Sequence, residues 1–392
     1  MNKLSRVIPT ILAVIVLFSG GCTVQGVKNQ DGSSLDYIED EGSDIYDNEI
    51  GGDMNGDGYI RTSILNDKHF EKGFYVRGLG LPIYDDPIET FGDRYETNVN
   101  FCYGQEDIRP DWHLCQWATR YPFHDINNTT SEKKNGITTF NYRYTKISKN
   151  HHMYENQSKL VEVNTKTGEV RLKLKASECY KYDRVAGEEW PHLLLEQDIC
   201  SAKKLVKAAK VSDTVSIRVK TTFKMNSFKD NMGDRANEGL HSAMCLFYLF
   251  VANYDEQRHE FNDMLWFGIP VFDNRYVYSA SASFPDLGSK ESATGKWIYN
   301  IGGHEFYNDE NNIYDTNGNI IFNEWKSIDV ELIDLIKNSL STAQKAGYMV
   351  NSKWENLYIN GMYMGYETPG NYDIDMSFKN MDIVMEREAI KK

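Results

Sequence analysis

Much of the chain beyond residue 70 alternates apolar and polar positions in short runs, the period expected of strands buried on one face. In residues 215–223, Val215 and Ile217 fall on one face and Arg218 falls on the other. Residues 161–163 and 170–174 are two such runs around the turn segment 164–169, which contains Asn164 and Gly168, and this pattern predicts a hairpin.

Two further runs are apolar throughout. Residues 243–252 and 264–269 have almost no polar position, which predicts central strands covered on both faces. Residues 357–364 and 376–385 are the last predicted strands. The Asn-Gly pair within 359–362 predicts a tight turn there.

One stretch has helical rather than strand periodicity. Residues 328–346 carry apolar side chains at the spacing of one helix face. These side chains are Ile328, Leu332, Leu335, Ile336, Leu340 and Ala343. Ser327 is a suitable N-cap and Gly347 a suitable stop. A single late helix in a strand-rich chain predicts a cap on a sandwich rather than an α/β repeat.

The pattern as a whole predicts an all-β sandwich of two antiparallel sheets. Segments 188–197, 262–275 and 360–385 resemble the concanavalin A-like lectin/glucanase superfamily, and the resemblance extends over roughly residues 70–388. It implies a jelly-roll β-sandwich whose concave sheet binds glycans. We therefore assign residues 61–392 to one concanavalin A-like jelly-roll domain with a late capping helix.

The first 21 residues have the layout of a secretory signal. Lys3 and Arg6 precede the apolar run 7–18, and small residues lead to Cys22. This layout resembles a bacterial lipoprotein signal peptide, which implies acylation of Cys22 by a lipid such as palmitate and an exported protein anchored to the cell membrane and facing outward. The alternatives are an ordinary cleaved signal and an uncleaved anchor, although a membrane span takes roughly 20 apolar residues.

Residues 22–60 are predicted to be a disordered acidic tether. From Asp31 to Asp57 there are ten acidic residues and no Lys or Arg, and such like charge keeps a chain extended. Asp53, Asn55 and Asp57 match the opening of an EF-hand or dockerin calcium loop. The twelfth position holds an isoleucine instead of the required acid, so the interpretation is a turn-rich linker end and no cofactor is predicted.

The net charge and the aromatic content indicate which classes of partner to expect. The formal net charge of −14 becomes more negative once Lys3 and Arg6 leave with the signal, which disfavours nucleic acid and anionic membrane surfaces as partners. The 25 Tyr, 18 Phe and 7 Trp suit both strands and sugar stacking, so we expect a polysaccharide or oligosaccharide partner and a monomer.

Export permits disulfides, and Cys102–Cys115 and Cys179–Cys200 are two pairings that the sequence leaves open. Cys245 lies in an apolar run and is predicted to be a buried thiol.

Two strands carry the first candidate ligand-binding residues. In residues 111–125, alternation places Gln116 and Arg120 on one face and Trp117 on the other. Gln116 and Arg120 have the donors and acceptors to bind sugar hydroxyls or carboxylates, whereas a strand tryptophan is often simply core. In residues 190–198, Trp190, His192 and Glu196 share a face, with Leu193 and Leu195 turned towards a core. A Trp, a His and a Glu on one face suggest a sugar platform with acid–base capacity, or else a solvated sheet face.

Charged residues near the central strands form a third candidate group. His241, Asp263, Trp266, Asp273 and Arg275 bracket apolar strands and are candidates for a cleft rim. Asp273 and Arg275 are equally consistent with a structural ion pair in a turn.

Three functions compete. The first is a carbohydrate-recognising lipoprotein domain. The second is an enzyme on the same fold: a polysaccharide lyase would draw on His192, His241, Tyr180, Gln116 and Arg120, and a glycoside hydrolase on Glu196 and Asp263. The third is a structural surface protein that binds another protein. The glucanase strand patterns Glu-x-Asp-x-Glu and Glu-x-Asp-x-x-Glu do not occur, nor do the Gly-x-Ser-x-Gly and His-Glu-x-x-His motifs.

Overall fold

A computed structural model describes most of the chain beyond residue 56. The described residues are 57–79, 99–105, 108–119, 121, 123, 142–287 and 294–389. The predicted signal, Cys22, Asp53, Asn55 and Arg120 lie outside them. Within the described part, no helix has the length and apolar character needed to cross a membrane.

The described strands form two stacked sheets. The strands of the first half are β1 (Tyr59–Ser63), β2 (Phe74–Leu79), β3 (Val99–Phe101), β4 (Trp112–Trp117), β5 (Arg143–Ser148), β6 (His151–Glu155), β7 (Lys159–Asn164), β8 (Glu169–Lys175) and β9 (His192–Asp198). Those of the second half are β10 (Ser216–Asp230), β11 (Met244–Asp255), β12 (Glu260–Asp273), β13 (Ala282–Pro285), β14 (Trp297–Asn300), β15 (Lys326–Glu331), β16 (Leu357–Glu367) and β17 (Tyr372–Glu388). The α-helices are the single turn α1 (Ala176–Cys179) and α2 (Ile333–Lys345).

The sheet order confirms the jelly-roll β-sandwich. The eight-stranded sheet runs β15-β10-β17-β8-β7-β6-β5, with β1 beside β17. The nine-stranded sheet runs β13-β14-β12-β11-β16-β9-β4-β2-β3. Strands distant in sequence are neighbours in both sheets, as crossing connections require. The expectation of purely antiparallel sheets was wrong in two places, because β2–β4 and β12–β14 pair in parallel.

The core lies between the two sheets. Leu193 and Leu195 of β9 and Ile217 and Val219 of β10 are fully buried in it, as the alternation of their segments predicted. Burying each such side chain contributes about 1.5–3 kcal/mol. Tyr366 of β16 ties the sheets together, because its hydroxyl donates to the Leu172 carbonyl at 2.8 Å and accepts from the backbone of the opposite sheet.

The late helix is shorter than predicted. Its expected first turn is the strand β15, in which alternate residues are buried, and Ser327 lies in that strand instead of capping the helix. The Glu331 carboxylate takes the capping role, since it accepts from the backbone amides of Leu332 and Ile333 at 3.1 and 3.0 Å. Gly347 follows the helix with φ +89°, which confirms the predicted stop.

The predicted turn at 359–362 was also wrong. Strand β16 runs through it, and a register shift opposite Phe250 and Val251 absorbs the irregularity. Gly361 is required for another reason: a Cβ there would lie 2.6 Å from the Phe250 ring. An Asn-Gly pair therefore marks close packing at this place rather than a reversal.

The first described strand spans the predicted boundary between tether and domain at residue 61. Strand β1 starts at Tyr59 and pairs along β17. Asp57, which belongs to the segment that resembles the opening of a calcium loop, accepts from the Arg61 guanidinium at 2.7 Å and from the Tyr59 amide at 3.1 Å. Its carboxylate is thus engaged in closing the first turn of the domain.

The five described cysteines are buried thiols that form no disulfide with one another: Cys102, Cys115, Cys179, Cys200 and Cys245. Neither of the two pairings that the sequence left open is formed. Burial raises the pKa of the Cys200 thiol to about 11 and that of Cys245 further still. Both groups are therefore protonated and inert at neutral pH.

Candidate functional site

The nine-stranded sheet turns one face away from the core, and chemistry-bearing side chains are concentrated there. We call this the site face. It presents His113, Cys115 and Trp117 from β4, His192, Leu194 and Glu196 from β9, Tyr248 from β11, Trp266 from β12, and Tyr363 and Glu367 from β16. The predicted alternation of His192 and Glu196 against Leu193 and Leu195 is therefore observed.

A carboxyl and an imidazole meet on this face where β9 begins and β16 ends. Glu367 and His192 occupy paired positions of β16 and β9, and their nearest side-chain atoms, Oε2 and Nε2, are 3.8 Å apart. The Tyr363 hydroxyl donates to Glu367 Oε1 at 2.9 Å. Glu367 and His192 are 2% and 1% exposed, so neither charge would be solvated by water.

Burial sets the protonation of this pair. It raises the pKa of Glu367 to about 8, against the opposing effect of the Tyr363 hydrogen bond. It lowers the pKa of His192 to about 4, although the bond to the Trp190 carbonyl opposes the shift. At neutral pH, Glu367 is therefore mainly the neutral acid and His192 the neutral imidazole.

The hydrogen bonds of His192 fix its tautomer. Nδ1 lies 2.8 Å from the Trp190 carbonyl oxygen and must carry the proton, because a carbonyl only accepts. Nε2 is then a lone pair that faces Glu367 Oε2. At 3.8 Å this lone pair lies close to Oε2 of Glu367 but beyond hydrogen-bond distance, while the Tyr363 hydroxyl donates to the other oxygen.

A second group of charges lies further along the same face. Arg77 of β2 donates to Glu196 Oε1 at 3.0 Å, and His113 Nδ1 lies 3.5 Å from the same oxygen. Glu196 is 1% exposed, so this arginine balances a buried negative charge. Partial burial and the nearby Glu196 charge raise the pKa of Asp198.

The same group is the one set of potential metal ligands among the described residues. The ligand atoms of His113, Glu196 and Asp198 lie within 4.8 Å of one another. Arg77 donates to Oε1 of Glu196, and a guanidinium beside this carboxylate competes with a cation. We interpret the cluster as an ion-pair network that keeps Glu196 ionised.

Aromatic rings line the face beside these groups. Trp266 packs against Tyr363, Tyr248 and Phe250 with ring centroids 4.7–6.2 Å apart. Its indole N–H donates to Thr294 Oγ1 at 3.2 Å. Trp117 is half-buried and lies edge-on to His192 at 6.0 Å, while Trp190 stacks on the same imidazole at 5.6 Å.

Three predicted site residues lie elsewhere and bind the backbone. Gln116 points to the opposite face of β4, where its amide pairs with the backbone N–H and C=O of Phe123 at 2.9 and 3.0 Å. His241 accepts from the Asn237 amide at 3.0 Å, and its other ring nitrogen lies 2.8 Å from the Arg184 carbonyl. The Tyr180 hydroxyl donates to the Thr368 carbonyl at 2.9 Å. These side chains hold loops together by hydrogen bonds to the backbone, whereas the sequence predicted catalytic or ligand roles for them.

The charged candidates of the third group are also structural. Asp273 and Arg275 form a buried ion pair, with Oδ2 and Nη2 2.6 Å apart, which is the alternative that the sequence allowed. Asp263 pairs with Lys296 at 3.0 Å. It lies three strands from β9 and near the far end of β12, so it cannot form the predicted carboxyl pair with Glu196.

The sequence analysis missed Glu367 and Tyr363. Residues 362–367 alternate Met, Tyr, Met, Gly, Tyr and Glu, which places Tyr363 and Glu367 on one face of β16 and the methionines on the other. The predicted turn at 359–362 obscured this alternation. Arg77 and His113 were missed because no local pattern shows that β2, β4 and β9 are neighbours.

Comparison with known proteins finds similar solved structures. No family model matches the chain, and no curated protein matches it by sequence. Similar solved structures include the endoglucanase Cel12A from Rhodothermus marinus, at 10% identity, TM-score 0.32 and coverage of 62% of this chain and 96% of that one. A family 12 xyloglucanase from Bacillus licheniformis has 11% identity, TM-score 0.34 and coverage of 62% and 96%. The family 11 xylanase from Neocallimastix patriciarum has 8% identity, TM-score 0.29 and coverage of 62% and 95%. At such identities the likeness is one of fold alone.

Proposed function

We propose that this protein hydrolyses glycosidic bonds of a polysaccharide at the site face. The observation that carries the proposal is the difference in protonation between two carboxyls on adjacent strands. Glu367 is a buried neutral acid hydrogen-bonded by Tyr363, and Glu196 is a buried anion paired with Arg77. Glycoside hydrolysis needs one protonated carboxyl as the acid and one ionised carboxyl as the base. Two carboxyls whose surroundings keep one protonated and the other ionised supply both.

The roles follow from these states. Glu367 donates its proton to the glycosidic oxygen as the bond from that oxygen to the anomeric carbon breaks. A water molecule attacks that carbon from the opposite side and gives its proton to Glu196. His192 faces the acid proton and Tyr363 faces the other carboxyl oxygen, so both are positioning residues for Glu367.

The strand register disfavours the short carboxyl spacing of a retaining reaction. Glu196 pairs with Tyr363, and Glu367 pairs with His192, so the two carboxyls are four positions apart on neighbouring strands. That offset corresponds to about 13 Å of backbone, so the two side chains would have to lean towards each other to reach the roughly 6.5–9.5 Å that separates the carboxyls of an inverting enzyme. A retaining enzyme needs its carboxyls only about 5 Å apart.

The test is hydrolysis of a polysaccharide panel by the full-length protein, with reducing ends and absorbance near 235 nm read together. We expect new reducing ends without absorbance, and a loss of about 10²–10⁴-fold in kcat for Glu367→Gln. Glu260→Gln, an exposed glutamate on the same sheet, is the matched control and keeps full activity. Rising absorbance would instead establish β-elimination, and product formation by Glu367→Gln would remove that residue from the mechanism.

The near-complete burial of both carboxyls favours a second candidate, glycan binding without cleavage. A substrate must displace surrounding chain before it reaches groups that are 1–2% exposed. In that case the half-buried Trp117 would contribute to sugar stacking, and the deeper charges would only stabilise the sheet. Binding on a glycan array without any product would support this candidate over hydrolysis.

We further propose that the protein is exported and acylated at Cys22, and that it acts as a monomer outside the membrane. The signal layout and the acidic segment 22–60 support this proposal. Metabolic labelling with a palmitate analogue tests it: the full-length protein should be labelled and Cys22→Ala should not. Equal labelling of the two would rule out Cys22 as the acylated residue.

A further inference from the structure

A polar pit opens on the other side of the molecule, in the outer face of the eight-stranded sheet. Its volume is about 480 Å³, within the range of small-ligand pockets. Strands β6, β7, β8, β10 and β17 supply its lining. None of the site-face residues lines it, so the proposed hydrolysis does not explain it.

The floor of the pit is a preorganised hydrogen-bond network. Asp375 is 2% exposed and receives both Nε and Nη2 of Arg171 at 2.8 and 2.7 Å. Asn226 donates to the same carboxylate at 2.9 Å and to Ser377 at 3.0 Å. Arg171 also reaches Glu162 at 3.1 Å. Buried polar groups held in this way keep a fixed pattern of donors and acceptors.

The charges of the pit cancel. Three cationic side chains, Arg171, Lys173 and Lys224, stand against three carboxylates, Glu162, Glu169 and Asp375. Because the charges of the lining balance, the pit has no net charge that would attract an ion. The chain's formal charge of −14 further repels an anion. Hydroxyl groups donate and accept at once, so they fit a lining that offers both kinds of group side by side.

We propose that this pit is a second binding site, specific for a neutral oligosaccharide. It goes beyond the proposed hydrolysis, because it binds sugar on the sheet opposite the carboxyls. Lys173, whose nearest carboxylate oxygen is 3.7 Å away, and Glu169 supply groups for sugar hydroxyls at its wall. The half-buried Trp325, which Lys224 covers at 4.7 Å, adds an apolar ring beside the polar lining.

Titration calorimetry with neutral hexasaccharides of glucose, xylose and mannose tests the proposal, with hexagalacturonate and inorganic phosphate as anionic probes. All proteins carry Glu367→Gln in the full chain, so that ligand is not consumed. Ser227→Trp fills the pit from an exposed lining position that lies opposite Asp375 in the strand register and whose own side chain makes none of the network's hydrogen bonds. Lys229→Trp, on the same strand but outside the pit, is the matched control.

We expect Ser227→Trp to lose one binding site per chain, or at least tenfold in affinity, while Lys229→Trp keeps both values. A circular dichroism spectrum and melting temperature equal to those of the parent show that Ser227→Trp is folded. Equal stoichiometry and affinity in the two variants would overturn the proposal, as would binding of the anionic probes alone or of no neutral sugar. Loss of hydrolysis in Glu367→Gln is read separately, so the two proposals fail independently.

Discussion

At the scale of single residues, the protonation of Glu367 makes the stability of the fold depend on pH. Its folded-state pKa of about 8 exceeds the value of about 4.5 in an unfolded chain, so the folded state binds the extra proton. The resulting stability is complete below pH 4.5 and is lost as the pH rises through 8. His192 acts in the opposite direction, because its pKa of about 4 makes stability fall as the pH falls below 6.5.

Only Glu367 of this pair titrates between pH 6.5 and 8. We therefore expect the free energy of unfolding to fall by about 1–2 kcal/mol across that range, since each pKa unit corresponds to about 1.4 kcal/mol. Glu367→Gln should remove this part of the pH dependence, because the amide mimics the neutral acid. Urea unfolding at several pH values measures both proteins, and an unchanged slope in the variant would show that Glu367 is already ionised in the folded state.

The sequence allowed part of this centre to be predicted. His192 and Glu196 were found because strict alternation defines the faces of a strand whatever its neighbours are. Gln116, His241 and Tyr180 have functional groups suited to a site, but these groups form hydrogen bonds with the backbone. Such bonds depend on the tertiary fold, which the local sequence pattern does not show. Glu367 acquires its acid character from burial, which no local pattern shows.

At the scale of strands, the contact between β9 and β16 positions both carboxyls, and one glycine permits it. Gly365 has φ +147°, and a Cβ there would lie 2.2 Å from the Leu193 carbonyl oxygen and 2.9 Å from Leu194 Cα. Neither backbone atom can move away without separating the strands. Gly365 lies between the paired positions of Glu196 and Glu367.

Gly365→Ala should therefore reduce stability and activity together. We expect a loss of more than about 3 kcal/mol in unfolding free energy, the upper end of backbone strain alone, because the clash adds to the strain. Gly187→Ala is the matched control: its φ is +88° but a Cβ there meets nothing within 4 Å. Denaturant unfolding compares the two, and equal losses would show that the close approach of β9 and β16 contributes nothing.

Long elements were predicted better than their ends. The apolar runs of β11 and β12 are central strands as expected, because a continuous apolar run must be covered on both of its faces. The boundary between β15 and α2 was wrong because Ile328 and Leu332 fit either period when they are read with the helix that follows. Tertiary pairing of β15 with β10 decides in favour of the strand.

At the scale of the whole molecule, the site face and the polar pit lie on opposite outer faces of the sandwich. The site face holds buried carboxyls and aromatic rings, and the pit on the opposite sheet holds a balanced polar network. Sites on opposite sheets of one sandwich can engage separate segments of a long polymer. Binding of this kind would raise avidity for a polysaccharide above that for a short oligosaccharide.

The start of the folded unit gives a last prediction for the whole chain. Strand β1 pairs with β17 over five positions, and Ile64, 5% exposed, continues its contact through a 3.0 Å bond to the Ile383 carbonyl. Removing residues 1–56 should leave the unfolding free energy unchanged, because the sequence predicts this segment as signal and tether. Removing residues 1–64 should cost about 2–4 kcal/mol, from lost apolar burial and lost ladder bonds. Thermal and urea unfolding of the two truncated proteins measures the difference, and equal stability would mean that the domain begins after β1, close to the boundary predicted from the sequence.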